Sequence, residues 1–65
     1  MKGLEECTEM RTLFIQENII ETIEGLDTLT QLRTLNLSDN MVKTITGLKY
    51  CIELDTLNLK RNRLG

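Results

Sequence analysis

Residues 32–42 read LRTLNLSDNMV, and this stretch decides the fold. At its centre Leu35 and Leu37 flank a polar residue, which is the two-residue period of a strand with one buried face. The amide of Asn40, three residues later, suits a bend because it can bond the backbone groups that a turn leaves unpaired. We therefore predict a short strand that ends in a bend at Asn40.

The same pattern occurs three times with a period of 22 residues. Residues 10–20 read MRTLFIQENII and residues 54–64 read LDTLNLKRNRL. Each segment also begins with a Gly-Leu pair, at residues 3, 25 and 47. Apolar residues spaced by three, as at Leu26, Leu29 and Leu32, favour a 3₁₀ or short helical return after each strand. Stacked segments of this kind would pair their strands in parallel.

The spacing L-x-x-L-x-L-x-x-N-x-L resembles the leucine-rich repeat, and it covers essentially the whole chain. The 22-residue length and the I-x-G-L junctions at 23–26 and 45–48 resemble the short intracellular class of that family. The resemblance implies an α/β solenoid of about three turns, with parallel strands on its concave face and helical returns on its convex face. We expect one domain over residues 1–65, cut from a longer protein, with repeats 3–24, 25–46 and an incomplete 47–65.

Composition limits the classes of function. The chain has 65 residues, 40% of them hydrophobic, with one Phe, one Tyr and no Trp, so its core must consist mainly of aliphatic side chains. A net charge of −2 gives no general attraction to nucleic acid or anionic lipid. No apolar run approaches the roughly 20 residues of a membrane span. We expect a soluble, cytoplasmic protein that binds neither nucleic acid nor membrane.

Catalysis and metal binding are disfavoured by the residue types present. Cys7 and Cys51 occupy the position that Leu29 fills in the repeat between them, which predicts two thiols in the core. Two repeats separate them, about 10 Å, which is beyond the roughly 7 Å limit for a disulfide. The chain has no His, so neither a zinc site nor a base for Ser38 is available. We predict no enzymatic activity, no cofactor and no metal.

A partner-binding surface is predicted on the concave face, where side chains between the buried leucines point away from the core. These residues are Thr12, Phe14, Gln16, Glu17, Thr34, Asn36, Ser38, Asp39, Thr56, Asn58, Lys60 and Arg61. Phe14 is an aromatic where its equivalents are asparagines, and it is either a contact anchor or an exposed ring without a role. By contrast, a structural ladder inside the solenoid is predicted for Asn18, Asn40 and Asn62.

Charge changes along the repeats. Residues 3–24 carry six acidic side chains against one Arg, a net of −5; residues 25–46 are neutral; residues 47–65 carry four basic against two acidic side chains, a net of +2. The terminal repeats are as leucine-rich as the middle one, without polar caps. The gradient is either a solvated surface or a head-to-tail attraction between chains, and we expect self-association through the uncapped ends.

The run from residue 2 to residue 16, KGLEECTEMRTLFIQ, resembles the opening repeats of the leucine-rich-repeat proteins that assemble axonemal dynein arms. Similar repeats occur in a nuclear phosphatase-1 regulator, a spliceosomal subunit and tubulin-folding cofactors. The resemblance implies a cytoplasmic scaffold for protein partners that is associated with the cilium or flagellum. The alternatives are a self-associating structural fragment and a module like the phosphatase-1 regulator.

Overall fold

The computed structural model describes residues 3–64 and contains one parallel sheet. Its strands are β1 (Thr12–Phe14), β2 (Thr34–Asn36) and β3 (Thr56–Asn58). The strands lie in the order β1-β2-β3, and the register pairs residues 22 apart, such as Leu13 with Leu35. The predicted parallel strands are thus confirmed, and they fit the predicted solenoid.

Each strand has three residues, with one leucine at its centre that faces the core. Leu35, at the centre of β2, is fully buried, whereas Thr34 and Asn36 on either side are half-buried and point outward. Parallel hydrogen bonds continue past the strand ends, where Ile15 N donates to Asn36 O at 3.0 Å. The chain is therefore held in register beyond the three residues of each strand.

The segments that return between strands are isolated turns. Leu29 N donates to Leu26 O at 3.0 Å and Leu32 N donates to Leu29 O at 3.2 Å, and both neighbouring repeats have the equivalent bonds. A 3₁₀-helix needs such bonds at successive residues, whereas here they occur at every third residue. The part of the chain from residue 3 to residue 64 contains no helix. Turns therefore replace the 3₁₀ or short helical returns that the sequence predicted.

The core is one cluster centred on the middle repeat. Its buried members are Leu13, Ile23, Leu26, Leu29, Leu32, Leu35, Leu37, Val42 and Cys51. Leu26, Leu29, Leu32, Leu37 and Val42 are all 0% exposed because repeats pack on both of their sides. Their equivalents in the first repeat are half-buried. For these five columns, complete burial thus occurs in the repeat that has a neighbour on each side.

Gly47 marks a close approach of backbone between repeats. Its φ is +74°, and a Cβ at this position would lie 2.1 Å from the carbonyl oxygen of Ile23. An L-residue here would be strained by the dihedral angle and would also overlap the neighbouring backbone. The third repeat therefore starts with glycine for a steric as well as a conformational reason.

Candidate interaction surface

The outward side of the sheet forms a continuous surface, which we call the strand face. It consists of Thr12, Phe14, Thr34, Asn36, Thr56 and Asn58. Phe14 is the large apolar side chain on it and is 62% exposed. The ring lies on β1, on the outward side of the sheet.

The asparagines of the strand face have a structural role that the sequence analysis missed. Asn36 Oδ1 accepts a hydrogen bond from Ser38 N, and Asn58 Oδ1 accepts one from Lys60 N, both at 3.0 Å. An asparagine that bonds the backbone two residues later is an Asx-turn, and the Asn-x-polar spacing would have indicated it. Phe14 has no acceptor to offer at the same position, so its presence serves no turn.

Beyond the strand ends, the chain bends along a second set of residues, which we call the turn ridge. It consists of Gln16, Glu17, Ser38, Asp39, Lys60 and Arg61. The sequence placed these residues on the strands, but β1, β2 and β3 end before them. Glu17, Asp39 and Arg61 have φ of 60°, 58° and 56°, the left-handed conformation. The backbone of these three residues thus makes the bend in each repeat. The sequence had predicted this bend one residue later, at the asparagine.

The sequence predicted that Ser38 presents its side chain to a partner, but in the structure this side chain is buried. It is 6% exposed, whereas its equivalents Gln16 and Lys60 are exposed. Ser38 O accepts from Glu17 N at 3.0 Å, so a neighbouring repeat packs beside it. Burial in the middle repeat therefore removes the Ser38 side chain from the candidate surface.

An ion pair crosses the turn ridge between the second and third repeats. Arg61 Nε lies 2.5 Å from Asp39 Oδ1, and Arg61 Nη2 lies 2.9 Å from Asp39 Oδ2. These hydrogen bonds lower the pKa of Asp39; burial acts in the opposite direction and the positive charge of Arg61 lowers it further. The same contact raises the pKa of Arg61, and the charge of Glu17 contributes.

The asparagine column ties each repeat to the one before it. Asn40 Nδ2 donates to Leu37 O within its own repeat and to Ile15 O of the first repeat, both at 3.0 Å. Asn40 Oδ1 accepts from Ile20 N, also at 3.0 Å. Asn62 repeats this arrangement one repeat later. Asn18 bonds Ile15 O and Gln16 O of its own repeat and, within residues 3–64, makes no bond to another repeat.

Both cysteines are free thiols, but their surroundings differ. Cys7 is half-buried, whereas Cys51 is 6% exposed and its Sγ lies 3.8 Å from Leu26 O. Burial raises the pKa of the Cys51 thiol, and the nearby negative charge of Asp27 raises it further. Within residues 3–64, no cluster of His, Cys, Asp and Glu has an arrangement that would hold a metal ion.

Tyr50 and Lys49 lie outside the strand face, on the returning segment of the third repeat. The Lys49 Nζ is 5.4 Å from the centroid of the Tyr50 ring, a cation–π distance, and the ring is 45% exposed. Tyr50 is thus an exposed aromatic residue away from the strands. It provides a natural comparison for Phe14.

A family model described as Leucine Rich repeats (2 copies) matches residues 8–50, more than half of the chain. No curated protein and no solved structure matches the chain significantly. Across residues 3–64 no helix has the length and hydropathy needed to cross a membrane.

Proposed function

Since this chain belongs to the leucine-rich-repeat family, we propose that it is a protein-interaction scaffold that binds a protein partner through the strand face. Leucine-rich repeats generally mediate protein–protein interaction and are typically non-enzymatic. The observation that carries the proposal is Phe14, a ring 62% exposed on a hydrogen-bonded strand. Aromatic residues are enriched among the residues that contribute most binding energy at interfaces.

The strand face supports this role by its rigidity. Asn36 and Asn58 are held by bonds to their own turns, so little side-chain entropy remains to be lost on binding. Adjacent to it, the turn ridge adds charges of both signs, Glu17 and Asp39 beside Lys60 and Arg61. An apolar anchor with a charged border is the usual composition of an interface core and rim.

The finer proposal is that the partner is a component of axonemal dynein arms and that the protein acts in the cytoplasm, associated with the cilium or flagellum. It is supported by the resemblance of residues 2–16 to dynein-arm assembly proteins. The competing partner is the catalytic subunit of phosphatase-1, whose nuclear regulator has similar repeats. These two partners are distinguished by binding assays with purified dynein-arm subunits and with phosphatase-1.

The experiment compares Phe14→Ala with Tyr50→Ala, which also removes an exposed aromatic ring but lies outside the strand face. Phe14→Ala should weaken capture of the dynein-arm subunit by about tenfold or more, as expected for a hot-spot residue. Tyr50→Ala should leave capture unchanged. Equal retention by both variants would overturn the strand face as the binding surface, and binding to phosphatase-1 alone would overturn the dynein assignment.

A second candidate function is self-association as a structural repeat. The favouring observation is that large apolar side chains remain exposed in the second and third repeats, as in the 57% exposed Ile45 and the 42% exposed Leu64. The net charges of the first and third repeats are opposite, −5 and +2. A salt-dependent increase in mass with concentration supports this function, and a monomer at all concentrations contradicts it.

A further inference from the structure

One residue lies directly before the strand of each repeat: Arg11, Arg33 and Asp55. The backbone holds these residues side by side, since Arg33 N donates to Arg11 O at 2.8 Å and Asp55 N donates to Arg33 O at 3.0 Å. All three are exposed. They form a row along one border of the strand face, which we call the strand-start row.

Two members of the strand-start row have a side-chain partner within the chain. Arg33 Nη2 lies 3.5 Å from Glu53 Oε1, an ion pair with the following repeat. Asp55 Oδ1 accepts a hydrogen bond from Thr56 Oγ1 at 3.0 Å. Arg11 differs from both, because no side chain between residue 3 and residue 64 pairs with its guanidinium.

The sequence of the second repeat accounts for this difference. The partner of Arg33 is 20 residues further along the chain, at Glu53. The same step from Arg11 leads to Gln31, which is uncharged. The neighbour of Arg11 in the strand-start row is Arg33, which has the same charge. The missing carboxylate is therefore a property of residue 31, inside the described part of the chain.

The outward exposure of the strand-start row is a property of its position in the repeat. Arg33 belongs to the middle repeat, whose strand has a paired strand on either side. Its side chain is still 57% exposed while it is paired with Glu53. Since β1 and β2 pair in register, Arg11 occupies the equivalent position before β1. A molecule that lies on the strand face can therefore reach the Arg11 guanidinium.

Arg11 and Phe14 lie on the same extended segment, roughly 10 Å apart along the chain. Both are exposed. A guanidinium can bind both oxygens of a carboxylate, whereas an exposed ring offers apolar contact area. Together these two residues match a partner segment that has a carboxylate close to an apolar side chain.

The acidic side chains of the first repeat lie away from this pair in the sequence. Three of them belong to the returning segment before the strand and three follow the strand end, so none is a member of the strand face or of the strand-start row. They are Glu5, Glu6, Glu9, Glu17, Glu21 and Glu24. Salt screens exposed charges over about 8 Å at physiological ionic strength, which limits their repulsion of an acidic partner.

We propose that the partner segment bound at the strand face is acidic, with one carboxylate paired to Arg11 as Glu53 is paired to Arg33 and an adjacent apolar side chain packed on Phe14. This inference rests on the proposed binding of a protein partner by the strand face. An exposed ion pair contributes little free energy, so the carboxylate serves mainly to select among apolar segments.

The test titrates the isotope-labelled chain with three short, end-capped peptides, followed by NMR. The peptides share a central Trp and differ at one position two residues away, on the same side of an extended peptide, which is Glu, Gln or Lys. The signals of the Phe14 amide and the Arg11 Nε–H report the site. At physiological ionic strength the Glu peptide should bind about 2- to 5-fold more tightly than the Gln peptide, and the Lys peptide should bind least tightly.

Three variants that each lower the net charge by one separate Arg11 from a general effect of charge. Arg11→Gln should abolish the preference for the Glu peptide. Gln31→Glu should weaken it, because it gives Arg11 the carboxylate within the chain that Arg33 already has. Arg63→Gln changes an exposed arginine outside the strand-start row and should keep the preference.

The outcomes distinguish this inference from the function on which it rests. Equal binding of the Glu and Gln peptides, with shifts at Phe14, overturns the acidic partner and keeps the strand face as a binding surface. A preference that survives Arg11→Gln, or that Arg63→Gln removes equally, overturns the assignment to Arg11. An unshifted Phe14 signal with all three peptides overturns the strand face itself, and this inference with it.

Discussion

Arg61 binds both carboxylate oxygens of Asp39, and this pair links the turn ridge of the third repeat to that of the second. Both residues have left-handed backbone conformation, with φ of 56° and 58°. The bend directs the two side chains along the same column, 22 residues apart. Asp39 and Arg61 therefore form both the ion pair and the left-handed bends of their repeats.

Asp39→Asn should lower the urea midpoint at neutral pH, because the amide keeps the left-handed conformation but loses the charge. The folded protein lowers the pKa of Asp39, so the stability from this group is complete above the unfolded carboxyl pKa of about 3.9 and is lost as pH falls through the lower folded value. The difference between the native chain and the variant should therefore persist to about pH 4 and close below it. A difference that stays constant down to pH 2 contradicts this origin.

Phe14→Asn should give a more stable chain than Phe14→Ala, by about 1 kcal/mol. The asparagine supplies the Oδ1 acceptor that Asn36 and Asn58 provide in the other repeats, and Gln16 N becomes its donor. Both variants remove the ring, so the difference between them isolates the hydrogen bond. Urea unfolding at low protein concentration measures it, and equal midpoints would show that the first repeat does not form this turn.

Gly47→Ala should destabilise the chain by roughly 1–3 kcal/mol more than Gly3→Ala. Both glycines have positive φ, so both variants carry similar conformational strain. A Cβ at Gly47 would overlap Ile23 O, whereas one at Gly3 meets no atom within 4 Å. Thermal and urea unfolding of the two variants compare them directly. Equal losses would mean that the backbone moves apart at Gly47 without cost.

Asn40→Ala should lower the free energy of unfolding by about 3 kcal/mol, and Asn18→Ala by about 1 kcal/mol. Asn40 is 6% exposed, and its removal leaves Ile20 N without its acceptor and takes one of the donors from Ile15 O and from Leu37 O. Asn18 is exposed and donates hydrogen bonds to carbonyl groups of its own repeat. The measurement is urea unfolding of dilute protein, at concentrations where mass analysis finds single chains. A reversed order of the two losses is incompatible with the hydrogen bonds described.

Cys7 should react with iodoacetamide much faster than Cys51 in the folded chain. Cys51 is buried and its thiol pKa is raised, so the thiolate that reacts is both rarer and less accessible. In urea the two rates should become similar. Peptide mass spectrometry after timed alkylation gives both rates, and equal protection in the folded state argues against the packing of Cys51.

Periodicity was sufficient to predict the parallel sheet and its register. Leucine occupies the same position in all three repeats, at Leu13, Leu35 and Leu57. This repetition is enough to predict which strand residues face the core and pair with each other. The returning segments were predicted wrongly because apolar spacing by three fits successive turns as well as a 3₁₀-helix. The difference lies in backbone bonds at the intervening residues, which side-chain pattern does not specify.

The candidate site was predicted less completely. Alternation past the strand end placed Glu17, Asp39 and Arg61 on the sheet, because only Asp39 among them has a side chain common in left-handed backbone, and none marks it as glycine does. Ser38 is buried in the middle repeat, which has a repeat on each side, whereas its equivalents Gln16 and Lys60 are exposed. The pattern of residue types does not show which of these three side chains is buried. The outward position of Phe14 followed from alternation alone.

Asn40 and Asn62 each obtain a carbonyl and an N–H from backbone that precedes them in the chain. Ribosomes make the N-terminus first, so the groups that each asparagine needs already exist when that asparagine is synthesised. A repeat that has already folded can therefore supply the backbone groups that order the next repeat as it is synthesised. The same dependence gives the growing chain a direction, because a newly made repeat bonds to backbone of the repeat made before it.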